Sequence, residues 1–171
     1  MKILVSYYTK TENTKKVAEA IYQALDEHDK TIKPMKEVES VEGYDLVFCG
    51  FPVHAHSVPV PAQNFLKKIK PGTKVALFST HGSQTDGQMP KEAIRNAVGL
   101  VKGKVLGSFT CRGEVEQSVI DELMNRPEHH AWAMEAQSAK SHPDRADLDD
   151  ARFFAKSIIK SVIGFEDYAK K

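Results

Sequence analysis

Short apolar runs alternate with stretches of helical period along most of this chain, and this alternation restricts the fold more than any single residue does. Residues 3–7, 45–50, 74–79 and 105–111 read as strands, the second of them buried on both faces. Between them, Val17, Ala18, Ile21, Ala24 and Leu25 recur at helical spacing. Ala62, Phe65, Leu66 and Ile69 do the same, as do Ala93, Ile94, Ala97, Val98 and Val101. Pro61 and Pro90 stand where helices open, and Pro71-Gly72 and Gly103 where they stop. Residues 31–35 form a weaker strand that Pro34 assigns to an edge. Beyond residue 111 the pattern loosens, and short helices are expected over 115–124 and 128–140. A strong helix follows over 144–162, with Asp147 as N-cap and a stripe of Leu148, Ala151, Ala155, Ile158, Ile159 and Val162. The tail from Gly164 reads as polar and frayed. Alternating strands and helices require crossovers, so the class is α/β, with a mainly parallel sheet and helices on both faces. No linker, repeat or low-complexity stretch divides the chain, and one domain over residues 1–171 is expected.

The loop between the first strand and the first helix is chemically loaded. Thr9, Thr11, Asn13 and Thr14 place three hydroxyls and an amide where a helix N-terminus already collects free N–H groups at the positive end of its dipole. The plain reading is a helix cap rich in threonine. Four neutral donors exceed what one cap uses, and the combination reads as an anion site with phosphate as the expected anion.

These residues also carry a resemblance. Thr9-x-Thr11-x-Asn13-Thr14, after an apolar strand ending in Tyr7 and before Val17-Ala18, resembles the phosphate loop of flavodoxins. The stretch His142-Pro143-Asp144-x-x-Asp147-Leu148-x-x-Ala151-Arg152-x-Phe154-Ala155 is similar to the last helix of many flavodoxin-like proteins. The resemblance implies a flavodoxin-like fold with a five-stranded parallel sheet in the order 2-1-3-4-5, and FMN as cofactor. Thr9, Lys10, Thr11, Asn13 and Thr14 would then hold the phosphate. Pro52, Val53, His54, Ala55 and His56, with Thr80, His81 and Gly82, would hold the ring. Ligands in such sheets sit outside the carboxyl ends of the strands at the switch point, where the loops 8–14, 51–60 and 80–89 converge. Glu12 departs from the family, which usually has a small residue there, often Gly. The site therefore requires the Glu12 carboxylate to face solvent.

Composition removes several other classes. With 171 residues and a formal net charge of +1, the chain has no single-sign run suited to nucleic acid or an anionic membrane. Electron-carrier flavodoxins are commonly acidic, so the near-neutral balance departs from that habit. Two cysteines without a CxxC pair offer no zinc or iron–sulfur spacing. The N-terminal apolar run breaks at Ser6, too soon for a signal peptide, and a reduced cytoplasmic setting is expected. No acidic pair follows the first strand, as a phospho-acceptor receiver needs, and neither GxGxxG nor GxxxxGK[ST] occurs.

The ring loops carry His54, His56 and His81 where family members often have an aromatic residue. These histidines have two readings, a loose metal set or a proton donor beside the ring. In the implied strand order Cys49 and Cys111 lie about 10 Å apart, beyond disulfide reach, and read as two buried thiols. Trp132 reads as an anchor for a helix, with a lid over the ring as the alternative. No nucleophile or general-base pair stands out, and no metal site is expected. The expected function is electron transfer by bound FMN to a partner reductase or acceptor enzyme, as a monomer or homodimer. The alternative is a freestanding FMN-dependent NAD(P)H oxidoreductase acting on a small molecule such as a quinone. A third reading, a flavodoxin-fold binding module without FMN, rests on Glu12 alone.

Overall fold

The computed structural model describes residues 1–169, with side chains through Gly164. Five parallel strands, β1 (Lys2–Tyr7), β2 (Asp29–Pro34), β3 (Leu46–Pro52), β4 (Lys74–His81) and β5 (Lys104–Arg112), form one sheet in the order β2-β1-β3-β4-β5. The helices are α1 (Asn13–Gln23), α2 (Val60–Lys67), α3 (Gln88–Leu100), α4 (Gln117–Met124), α5 (His130–Gln137) and α6 (Arg145–Ala169). β2 lies at the edge, as Pro34 requires.

Side-chain alternation along the strands divides the interior in two. Ile3, Val5, Phe48 and Phe78 face α1 and α6, meeting Val17, Ile21, Ala151 and Ala155. Leu4, Val47, Phe51 and Leu77 face α2 and α3, meeting Ala62, Leu66, Ala93 and Ala97. Cys49 and Cys111 therefore fall on opposite sides of the sheet, both buried and unpaired. Burial pushes both thiols up, so each stays protonated as a small apolar group. Among the described residues no helix is long and apolar enough to cross a membrane.

Several local expectations are corrected. Thr80 and His81 belong to β4 rather than to the loop after it, because the ladder continues through Thr80↔Cys111 and His81↔Arg112. Val98 is 43% exposed, because the buried stripe of α3 is narrower, formed by Pro90, Ala93 and Ala97. α3 stops at Leu100, with Val101 already extended; Gly103 instead packs where a Cβ would lie 2.5 Å from the Thr73 carbonyl oxygen. Asp144, not Asp147, caps α6: its Oδ1 accepts from the Asp147 N–H at 3.0 Å, and Asp147 Oδ2 accepts from the Asp144 N–H at 2.9 Å. That reciprocal pair is a capping box with an aspartate in the third position. The helix runs on past Gly164 through Ala169, and the last two residues of the expected tail lie outside the described residues.

Candidate functional site

The chain leaves β1 at Tyr7 and enters α1 at Asn13. The turn between them is made at Glu12, whose φ of 64° is left-handed. That geometry explains why a small residue suits this position. The Glu12 side chain is 58% exposed and pairs with Lys15 Nζ at 2.7 Å, so the carboxylate does face solvent. No side chain caps α1, and its first-turn N–H groups have no intrahelical acceptor. Thr9 Oγ1 is buried there without a partner. The other donors are engaged. Thr14 Oγ1 shares a hydrogen bond with Thr80 Oγ1 at 2.9 Å. Asn13 Nδ2 donates to the Glu114 carbonyl at 2.8 Å and to Thr11 Oγ1 at 3.1 Å.

Beside this loop lies a cavity of about 630 Å³ at the carboxyl ends of β3 and β4. Lys10, Thr11 and Asn13 form one wall; Pro52, Val53, His54, Ala55 and His56 form a second; Thr80, His81 and Gly82 form the floor. Thr9 and Thr14 do not line it. Thr9 lines a second cavity of about 610 Å³ across the loop, with Tyr7 and Tyr8. In the second wall, His54 and Ser57 exchange backbone hydrogen bonds of 3.0 and 2.9 Å around Ala55 (φ 47°) and His56 (φ 61°). Two left-handed central residues make a tight turn that Asn-Gly would adopt with less strain. Side chains there cost about 1–2 kcal/mol each.

The three histidines do not converge. His54 and His56 are exposed on that turn, with His56 Nδ1 at 3.3 Å from Glu92 Oε2. His81 is only 4% exposed. Its Nδ1–H donates to the Ser83 carbonyl at 3.1 Å, which also accepts from Arg112 Nε at 3.2 Å. A carbonyl only accepts, so Nδ1 carries the proton and Nε2 is left as a buried acceptor without a partner. Burial lowers the His81 pKa to about 4, the Ser83 bond opposing and the Arg112 charge adding to it. His81 is therefore neutral near pH 7 and cannot be the proton donor considered for it. Among the described residues, the three metal-ligating side chains whose donor atoms do lie within 4.8 Å of one another are His142, Asp144 and Asp147. Asp144 and Asp147 are already bonded to each other's N–H groups, and His142 Nδ1 lies 2.6 Å from Asp147 Oδ2.

The far wall comes from the segment after β5, where a lid carried by Trp132 was the alternative to a plain helix anchor. After β5, α4, a 3-10 turn (Pro127–His129) and α5 form a cap with its own small core of Ile120, Ala133 and Ala136. Val115, Val119, Leu123, His129 and Trp132 present the cap to the cavity. Val115, Val119 and Leu123 recur four residues apart, and this spacing was the available sequence signal. The cap rests on Gly82, just past the end of β4, where a Cβ would lie 2.5 Å from Val115 Cγ2. Arg112 donates to the carbonyls of Gly82, Ser83, Glu135 and Ser138, tying the end of α5 to the sheet. Trp132 Nε1–H donates to Ser83 Oγ at 3.2 Å. Trp132 thus anchors the cap and lines the cavity at once.

Known proteins share this fold. A family model described as a flavodoxin domain matches residues 4–156. BilS, a flavodoxin-like domain-containing protein of Clostridioides difficile (strain CD3), is 30% identical over 172 residues, spanning 93% of this chain and 97% of that protein. Oxidised flavodoxin 2 from Bacillus cereus shares the fold at a TM-score of 0.65 and 18% identity, covering 94% of this chain and 99% of that one. A Fusobacterium nucleatum flavodoxin bound to flavin mononucleotide does so at 0.54 and 17%, covering 80% and 97%. With a flavodoxin-domain model matching residues 4–156, from β1 into α6, on a five-stranded parallel sheet in the order β2-β1-β3-β4-β5, the chain belongs to the flavodoxin family.

Proposed function

We propose that this protein binds FMN and passes its electrons to a partner redox protein. One observation carries the reading: an uncapped helix N-terminus adjoins a cavity of about 630 Å³ lined by two further loops. The donor set fits the cofactor. The phosphate end is served by the N–H groups of the first turn of α1, the Thr11 hydroxyl and Lys10; the ring end is served by Pro52, Val53 and the apolar side chains of the cap. FMN, when bound, supplies one- and two-electron transfer. The chain's own residues orient it and exclude water, and His81 holds an uncharged acceptor at the floor. Two buried free thiols suit a reducing, cytoplasmic setting.

A second reading is a freestanding NAD(P)H-dependent reductase of a small molecule such as a quinone. It is favoured by the cap, whose Val115, Val119 and Leu123 enclose the cavity on a side where a small apolar molecule would lodge. One experiment separates the two. Purified protein loaded with FMN is given NADPH and a quinone without other proteins. Electron transfer to a partner predicts no NADPH consumption until a reductase is added; steady consumption by the protein alone selects the second reading. A protein that takes up no FMN overturns both.

A further inference from the structure

The two ring loops lack an aromatic wall. Their one Phe, Tyr or Trp is Phe51, which is fully buried in the core between β3 and α2. Among the described residues lining the cavity, Trp132 is the only Phe, Tyr or Trp. It arrives from α5, far along the chain from both loops. Its indole is fixed by a short relay: Nε1–H donates to Ser83 Oγ at 3.2 Å, and Ser83 Oγ–H contacts Met89 Sδ at 3.3 Å. Gly82 lies against it: a Cβ there would sit in ordinary contact with Trp132 Cζ2 at 3.5 Å but would displace Val115, whose Cγ2 lies 2.5 Å away. Beside it Val119 is 37% exposed, an apolar side chain facing an open cavity.

We infer that Trp132 is the aromatic wall against which the flavin ring packs, delivered by the cap in place of the ring loops. This rests on the FMN-binding reading. An indole offers the largest apolar face of any side chain, and packing a ring against it removes both from water. The cap is also linked to the phosphate end, because the Glu114 carbonyl accepts from Asn13 Nδ2. The groups that hold phosphate and ring are therefore tied together through the segment that follows β5. The bland alternative is that Trp132 only anchors the cap.

The test uses the full chain, stripped of flavin and titrated with FMN. Trp132 is the single tryptophan, so no other indole can quench bound flavin by contact. In the wild type, flavin emission is expected to fall on binding. In Trp132→Leu the bound flavin regains emission, and Kd weakens about tenfold or more, the amount a lost stacking contact supplies. Trp132→Phe keeps a flat ring and lies between. Gly82→Ala removes nothing from the cavity, displaces Val115, and moves emission in the same direction as Trp132→Leu. Far-ultraviolet circular dichroism confirms folding, and if Trp132→Leu does not fold, the Phe and Gly82 variants decide. Unchanged Kd and unchanged quenching in the folded variants overturn the inference while leaving FMN binding intact. No FMN uptake by the wild type overturns the underlying reading as well.

Discussion

At position 12 the backbone is left-handed and the side chain is a carboxylate. Glycine would relieve about 1–2 kcal/mol of left-handed strain and cost about 0.5–1 kcal/mol in unfolded-state freedom. Glu12→Gly is therefore expected to raise stability by roughly 0.5 kcal/mol, read from the urea midpoint. FMN affinity stays equal or tightens, because the carboxylate already faces away with Lys15; a marked loss would mean that this loop does not hold phosphate. His81 has a pH signature. Its folded pKa of about 4 lies below the ordinary 6.5, so the unfolded state binds the extra proton in between. The stabilisation from keeping it neutral is complete above pH 6.5 and disappears as pH falls toward 4. It amounts to as much as about 3 kcal/mol. Urea titrations from pH 7 to 4.5 should show a shallower decline for His81→Phe than for the wild type. Parallel declines would place the titrating group elsewhere.

At the scale of elements, the β3–β4 seam depends on Gly50. A Cβ there would lie 2.1 Å from Phe78 Cε2, and Phe78 is fully buried. Gly50→Ala should destabilise by about 2 kcal/mol or more, seen as a lower urea midpoint with an unchanged slope. Wild-type stability would show that the Phe78 ring can move aside. The strands and the first three helices were legible because apolar period and proline or glycine stops act within a few residues. The misread ends have a common cause: they are set by neighbours in space. β4 runs to His81 because β5 continues beside it, and α3 releases Val101 because Gly103 must turn against Thr73. The cap was legible only as two loose helices, since its main-stripe residues face one another rather than the sheet.

For the whole molecule, ligand linkage gives the broadest check. FMN at 100 times its Kd should stabilise the fold by about 2.7 kcal/mol, a rise in Tm of roughly 5–10 °C for a chain of this size. Riboflavin, which lacks the phosphate, should shift Tm less at the same concentration. Equal shifts would mean that the α1 N-terminus does not bind the phosphate. The order of elements and the parallel sheet were determined by the sequence alone, because period, turn chemistry and crossover handedness are local or topological rules; the expectation of a site at the carboxyl edge came from the resemblance to flavodoxins. Tertiary structure decided which donors remain open. Thr14 is spent on Thr80 and Asn13 on Glu114, partners 66 and 101 residues away, while Thr9 is left unpaired. It decided the protonation of His81 through burial, and it brought Trp132 to Ser83 across 49 residues to close the cavity. Such contacts join positions whose spacing carries no periodic signal, so only the folded chain reveals them.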